Sequence, residues 1–427
     1  MTTLSAPPAA QHLPDLPAHR DPNVLRWLGA YTSSMVGDSV YYVALSWAAV
    51  QDGTPVQAGV VMSVSALPRA LLMLGGGVVA DRLGPRRVVI GSDTVRCGAV
   101  LAVAALLFLT GPGLWPLALL ALVFGTVDAV FMPAVGALPA RITGRDQLAR
   151  VQGMRGLAIR FASVAGAPLG GLGVALGGAP AAFAVAGLLI AVSIPLLILV
   201  RVRGLPADST DGDRSRSVDA DASRGTGWSD LVDGLRYIRR HRVLAPLMAA
   251  IALGDLGFVG PLNVGLTLLA DRRGWGASDV GWVLAGFGVG AGAASLLLAV
   301  RGRLPRAGLV AGCTIIGGSV AIGTLGCVPA LAGAVGTALL IGLFAGLSGA
   351  MCGALLQTHA DPAYLGRVTA VAGLVSLGLA PLSMPFAAAA IGAWGPGPVF
   401  VVSALVCGLG GVVTLVAPHL RRAELPR

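Results

Sequence analysis

GGGVVADRLGPRR, residues 75–87, sets one aspartate and three arginines among glycines, with a long apolar run on either side. The runs are residues 56–80 and 88–110. Each is long enough for a helix across a bilayer core of about 30 Å, which takes roughly 20 apolar residues. The stretch therefore reads as a tight loop joining two spans at one membrane face. The same ruler finds further spans at 24–50, 115–140, 157–176 and 180–200 in the first half. The second half offers 243–269, 280–300, 307–327, 330–356, 368–391 and 398–418. The expected fold class is an all-α integral membrane protein, with about twelve transmembrane helices in two six-helix halves.

Composition agrees. The 427 residues are 55% hydrophobic and only 12% charged, with a mean hydropathy of +0.81. An ordinary globular domain carries about 25% charged residues, so this chain cannot cover itself with polar surface and must meet lipid. Sixty-two glycines suit membrane helix interfaces, where small residues let backbones approach closely. The net charge of +10 raises nucleic acid as a partner, but the arginines sit in short loops and no basic face or aromatic platform is visible. No nucleic-acid partner is expected. Cys97, Cys313, Cys327, Cys352 and Cys407 all lie in apolar runs without metal-ligand spacing. They read as small buried hydrophobes, and neither a metal nor another cofactor is expected.

Orientation follows from the arginines. Arg82, Arg86 and Arg87 share one loop, Arg141, Arg145 and Arg150 a second, and Arg301, Arg303 and Arg306 a third. If the spans alternate, these fall on one face with both termini, while Arg272 and Arg273 are the main exception on the other. The positive-inside rule then places both termini in the cytoplasm of a multi-pass cell-membrane protein. The expected organisation is a cytoplasmic tail (1–22), a six-helix bundle (23–201), a cytoplasmic linker with an amphipathic helix (202–242), a second bundle (243–418) and a cytoplasmic tail (419–427). The polar stretch 206–227 lacks an apolar period and reads as flexible. After it, Trp228, Leu231, Leu235 and Ile238 share a helical face. That segment is either an interfacial helix or the start of the seventh span.

The loop at residues 75–87 also carries a resemblance. Gly77, Asp81, Arg82, Gly84, Arg86 and Arg87 resemble the signature loop of the major facilitator superfamily. Their types have physical reasons. Gly77 permits close helix contact, Gly84 a turn with positive φ, and Asp81 a pairing with arginine or a helix N-terminus. Together they would form a charge latch on the cytoplasmic side. Further stretches extend the likeness over nearly the whole chain: Gly37-Asp38 in the first span, Phe131-Met-Pro133 in the fourth, Gln152-Gly153 after it, and Gln357 to Arg367 before the eleventh. These resemble the bacterial drug-efflux branch that includes macrolide and enterobactin exporters, which implies proton-driven antiport outward. Two departures stand out. In the fifth span Gly166-Ala-Pro168-Leu-Gly170-Gly171 has its proline one place late, and the matching second-half loop at 301–306 keeps arginines without the aspartate.

An ionisable side chain inside the bilayer costs a few kcal/mol or more and is a functional candidate by default. The only glutamate is Glu424 in the tail, so a proton carrier must be an aspartate. A nearby arginine holds a carboxylate ionised, whereas desolvation favours the protonated form. Asp93 has Arg96 at i+3, which reads as a structural ion pair near the cytoplasmic end. Asp38, mid-span, has no basic neighbour on its own helix, although Arg69 could approach from the second span. Asp38, Asp128 and Asp255 are thus the candidates for proton coupling or substrate binding, with Arg69 and Arg160 as their basic counterparts. Arg69 follows Pro68, which suggests an irregular turn with free carbonyls, and Arg155 should snorkel to the interface. Tyr41, Tyr42, Trp47, Met62, Phe131, Phe258, Asn263 and Trp282 are candidates for an apolar cavity.

No HExxH, no GxSxG with partners and no GxxxxGK[ST] occurs, so an enzyme is not expected. The expected activity is secondary transport, as proton-coupled efflux of small amphipathic molecules by alternating access. The alternatives are a dedicated exporter of one endogenous metabolite or siderophore, and a non-transporting membrane sensor or scaffold. The partners implied are a small-molecule substrate, protons and the lipid bilayer, for a chain acting as a monomer.

Overall fold

The computed structural model describes residues 17, 19–111, 113–144, 147–202, 227–301, 306–361 and 364–424, and among them the chain is almost wholly helical. The first half comprises α1 (Pro22–Asp52), α2 (Pro55–Leu83), α3 (Pro85–Thr110), α4 (Leu114–Ala137), the single turn α5 (Pro139–Ile142) and the long α6 (Leu148–Ile198). The second comprises α7 (Gly227–Arg240), α8 (Leu244–Gly260), a π-helical turn (Pro261–Gly265), α9 (Leu266–Arg272), α10 (Ala277–Arg301) and α11 (Ala307–Cys327). It ends with α12 (Leu331–His359), α13 (Leu365–Trp394), α14 (Pro396–Val416) and the short α15 (Pro418–Arg421). Residues 203–226 of the expected linker lie outside the described residues.

Helix ends follow local chemistry. Asp21 accepts from the Asn23 amide at 2.8 Å, with Pro22 preset for the first turn of α1. Thr54 and Gln57 form a reciprocal capping box that starts α2. At C-termini, where carbonyls lack partners, guanidinium groups supply donors. Arg86 donates to the carbonyls of Leu197 and Ile198 at the end of α6. Arg272 donates to Ile391 O of α13 at 2.9 Å, and Arg273 to Gly326 O of α11 at 2.7 Å. The two arginines that break the charge pattern are thus bound to helix C-termini. His241 Nδ1 accepts from the Val243 and Leu244 amides at 3.2 Å each, which starts α8. Burial and the nearby His359 lower its pKa, which keeps the ring the neutral acceptor that this cap needs.

Among the described residues, ten helices are long and apolar enough to cross a membrane. α6 is one of the ten but bends at Gly177 and Gly178 (φ +71°) into two legs. α1, 31 residues long and carrying Asp38, is not among the ten. Counting α1 and the second leg of α6 brings the ten to twelve crossings. In the seventh crossing, Pro261 supplies no N–H and the hydrogen-bond register slips into a π turn between α8 and α9.

Packing repeats with an offset of six crossings. α1 packs on α6, α2 on α4, and α3 on α4 and α6. Correspondingly, α8 packs on α13, α10 on α12, and α11 on α12 and α14. The fold is therefore two six-helix halves of one plan, joined chiefly through α6 with α10 and α2 with α13.

These joints close one end. A Cβ added to Gly281 of α10 would lie 2.6 Å from Ala167 O and 3.0 Å from Pro168 Cα of α6, so only glycine fits there. Nearby, α1 reaches across to the second half. The Ser46 and Thr267 hydroxyls are 2.6 Å apart, Ser46 donates to Asn263 O at 3.2 Å, and Gln51 Nε2 to Asp271 Oδ1 at 2.8 Å. All of this lies toward the arginine-poor end. Toward the arginine-rich end the same helices part, and a Cβ at Gly156 of α6 or Gly292 of α10 would meet nothing within 4 Å. Gly281→Ala should cost the closed form about 1–3 kcal/mol, the usual range for overpacking. The expected readout is a lower melting temperature in detergent with faster alkylation of a cysteine placed at Ser46. Unchanged melting and labelling would refute the contact.

Candidate functional site

Four crossings of the first half converge on Arg96. This residue of α3 is fully buried, and its guanidinium is shared by three carboxylates. Nη1 donates to Asp38 Oδ1 and Oδ2 at 3.0 and 2.8 Å, and to Asp128 Oδ1 at 3.3 Å. Nη2 donates to Asp93 Oδ1 and, at 3.0 Å, to Ser34 Oγ. Ser34 in turn donates to Asp93 at 3.1 Å, and Ser193 of α6 donates to the other Asp93 oxygen. The flat face of the guanidinium lies 4.0 Å from the Phe131 ring centroid, a cation–π contact strengthened by the absence of water. Of the Arg96 donors only Nε lacks a partner.

Arg69 of α2 extends this network. It donates to the Tyr42 hydroxyl and lies 3.7 Å from Asp128 Oδ2. Asp128 therefore stands between two arginines. The irregular turn expected around Pro68 is not formed: α2 runs through it, and Arg69 uses a side-chain oxygen rather than a backbone carbonyl. Nor does Arg69 pair with Asp38, whose basic partner comes from α3.

The remaining sequence candidates are dispersed. Asp255 of α8 accepts from Ser376 of α13 and makes no ion pair among the described residues. It lines a cavity of about 530 Å³ in the second half. Arg160 is half-buried on α6 and joins no ion pair among the described residues. Arg155, expected to snorkel to the interface, is half-buried. Its guanidinium lies over Tyr31, 5.3 Å from the ring centroid. In the signature loop Gly84 has φ +84°, the left-handed turn that favours glycine. Arg82 and Arg87 are exposed, while Arg86 serves the α6 C-terminus. Gly77 and the Asp81 side chain, and with them the expected latch, lie outside the described residues.

Cavity candidates divide similarly. Tyr42, Met62 and Asn263 line a smaller space of about 240 Å³ between the halves, and Phe258 lines the larger one. Tyr41 is instead stacked on Phe124 at 3.8 Å, Phe131 lies under Arg96, and Trp282 is exposed at the outer surface. The central place of Arg96 was missed by spacing rules, which see only its i−3 neighbour. The signal was its position: an arginine twelve residues into a 26-residue apolar helix requires partners from other helices.

Comparison with known proteins places this arrangement. Residues 27–380 match the family model described as Major Facilitator Superfamily. Over 423 residues the chain is 28% identical to the multidrug efflux pump Tap of Mycolicibacterium fortuitum, covering 95% of this chain and 98% of that protein. Over 300 residues it is 27% identical to the enterobactin exporter EntS of Shigella boydii, covering 69% of this chain and 67% of that protein. Among solved structures, a bacterial homologue of the human lysosomal transporter Spinster superposes with a TM-score of 0.72 at 12% identity, covering 95% and 98% of the two chains. A POT family transporter does so with a TM-score of 0.70 at 12% identity, covering 93% and 96%. The chain, with its twelve crossings in two like halves, belongs to the Major Facilitator Superfamily.

Proposed function

We propose that this protein is a proton-coupled exporter of small amphipathic molecules, with the arginine-rich end in the cytoplasm and both termini there. The likeness to a multidrug efflux pump and to an enterobactin exporter supports export. The observation that carries proton coupling is a charge imbalance. Among the described residues Asp38, Asp93 and Asp128 pair with Arg96 and Arg69 alone, so three carboxylates share two guanidinium groups. With all five ionised, the buried cluster carries one uncompensated negative charge, and uptake of one proton removes it.

The acids are not equivalent. The Asp93 side chain is 1% exposed and tied to Arg96, Ser34 and Ser193, a structural role. Asp38 is the most exposed of the three, at 16%, and has only Arg96 as partner. Asp38 is therefore assigned the proton, with Asp128 and Arg69 relaying its charge state to α2 and α4. A protonated Asp38 frees Arg96 to bind Asp93 and Asp128 more closely, and so couples the proton to the packing of α1 against α3. Since α1 also carries Ser46 and Gln51 at the closed end, that packing is the physical link to alternating access. One charge crossing 100 mV supplies about 2.3 kcal/mol, enough for roughly fiftyfold accumulation.

The test uses inverted membrane vesicles with an acidic interior and a pH-sensitive dye. Adding a panel of macrolides, tetracyclines, dyes and siderophores should release protons for at least one compound, and Asp38→Asn should abolish that release. Release surviving Asp38→Asn would move the role to Asp128. Labelled compounds that move without any proton release would sink the coupling.

A further inference from the structure

We propose that the second-half cavity is the substrate site and that it takes an organic monocation, with Asp255 as its ion partner. The proposal rests on the export reading above and adds the charge and the place of the substrate. Every intramembrane aspartate of the first half is met by an arginine; Asp255 is not. Among the described residues its one hydrogen-bond donor is the Ser376 hydroxyl, and no arginine or histidine of these lines the cavity of about 530 Å³ around it. A half-buried carboxylate with one neutral donor in apolar walls is a site short of positive charge.

The space itself is built by glycine. Gly254 beside Asp255, Gly349 and Gly353 on α12, and Gly373 on α13 all line the cavity, and a Cβ at any of them would meet nothing within 4 Å. These glycines are not there for close helix contact, unlike Gly281. Their missing side chains leave room in front of the carboxylate. The volume falls in the range of small-molecule sites, mostly apolar with few polar groups that fix orientation. Ile315, Ile341 and Phe258 supply the apolar wall, with the Phe258 ring available to a cation's face. Gln357, near the arginine-rich end of α12, adds a neutral polar group to the lining. An anionic substrate would meet only the Asp255 charge.

The experiment measures binding, without transport, on the purified full chain in detergent. Labelled tetraphenylphosphonium is the probe, and labelled tetraphenylborate, of nearly the same shape and opposite charge, is measured in a separate sample because the two ions pair when mixed. The expected result is saturable binding of the cation and none of the anion. Asp255→Asn should weaken it by about thirtyfold or more, the loss carried by removing one partner of a desolvated ion pair, while Asp255→Glu retains most of it. Gly353→Val, which fills the space and leaves the charge, should also abolish binding. It keeps the test sound if Asp255→Asn does not fold, as judged by gel filtration. Wild-type affinity in a folded Asp255→Asn, or saturable binding of tetraphenylborate as tight as that of the cation, would overturn the proposal. The two readings fail separately. Compound-driven proton release without charge-selective binding sinks the cation site and leaves export, whereas charge-selective binding without proton release sinks antiport and leaves the site.

Discussion

Arg96→Gln is expected to destabilise the protein by about 3–5 kcal/mol, the cost of removing one partner from a buried ionic cluster. The value belongs at the upper end. Arg96 is fully buried and holds three carboxylates from α1, α3 and α4, so glutamine would leave Asp38, Asp93 and Asp128 facing Arg69 alone. Two carboxylates would then have to be protonated or the helices would have to part. Arg96→Lys should fare little better. An ammonium has three donors and no flat face, so it cannot bind Asp38, Asp93, Asp128 and Ser34 together while stacking on Phe131. Thermal unfolding of the purified variants, followed by fluorescence-detected gel filtration, checks this. A specific rescue is expected when Asp93→Asn is added to Arg96→Gln, because a neutral amide can still pair with Ser34 and Ser193. A melting temperature for Arg96→Gln equal to the wild type would show that the cluster contributes nothing to the fold.

That cluster also marks the limit of what the sequence discloses. The crossings were legible because their cause is local: each is a run of about 20 apolar residues ended by arginine, proline or glycine. The expected spans 157–176 and 180–200 are the two helical legs of α6, parted at Gly177 and Gly178 where the backbone leaves the helical region. The slip to a π turn at Pro261 was not foreseen either, because proline signals a lost donor but not how the register recovers. Partners across helices are another matter. Periodicity gives Asp93 its i+3 neighbour Arg96, yet the Asp38 and Asp128 contacts depend on how α1, α3 and α4 are rotated about their axes. The cavity in front of Asp255 was hidden for a related reason. Glycines at 254, 349, 353 and 373 look the same in sequence as Gly281, although Gly281 lets helices touch and the others leave space. The rule that a proton carrier lacks a nearby arginine had pointed to Asp38; in the folded chain Asp255 is the aspartate that fits it. The charge count of the first-half cluster, and not the isolation of one acid, is the ground on which Asp38 is proposed as the proton carrier.

If the molecule works by alternating access, tying its closed end should stop it. Ser46→Cys with Thr267→Cys is expected to form a disulfide under mild oxidation, to abolish transport, and to recover it on reduction. The geometry favours the bond: the two hydroxyl oxygens are 2.6 Å apart, so sulfurs in their places lie within reach of an S–S bond of about 2.05 Å. One serine is on α1 and the threonine on α9, so the bridge links the halves at the arginine-poor end and nowhere else. Single-cysteine variants should transport under the same oxidation, which separates the bridge from the loss of the hydroxyl pair. The trapped form should still bind ligand, because neither Ser46 nor Thr267 lines the cavity around Asp255. Binding retained with transport lost therefore identifies a block in the conformational step. A fully cross-linked protein that transports at the wild-type rate would mean that this end never opens, and rocking of the two halves would have to be abandoned as the mechanism.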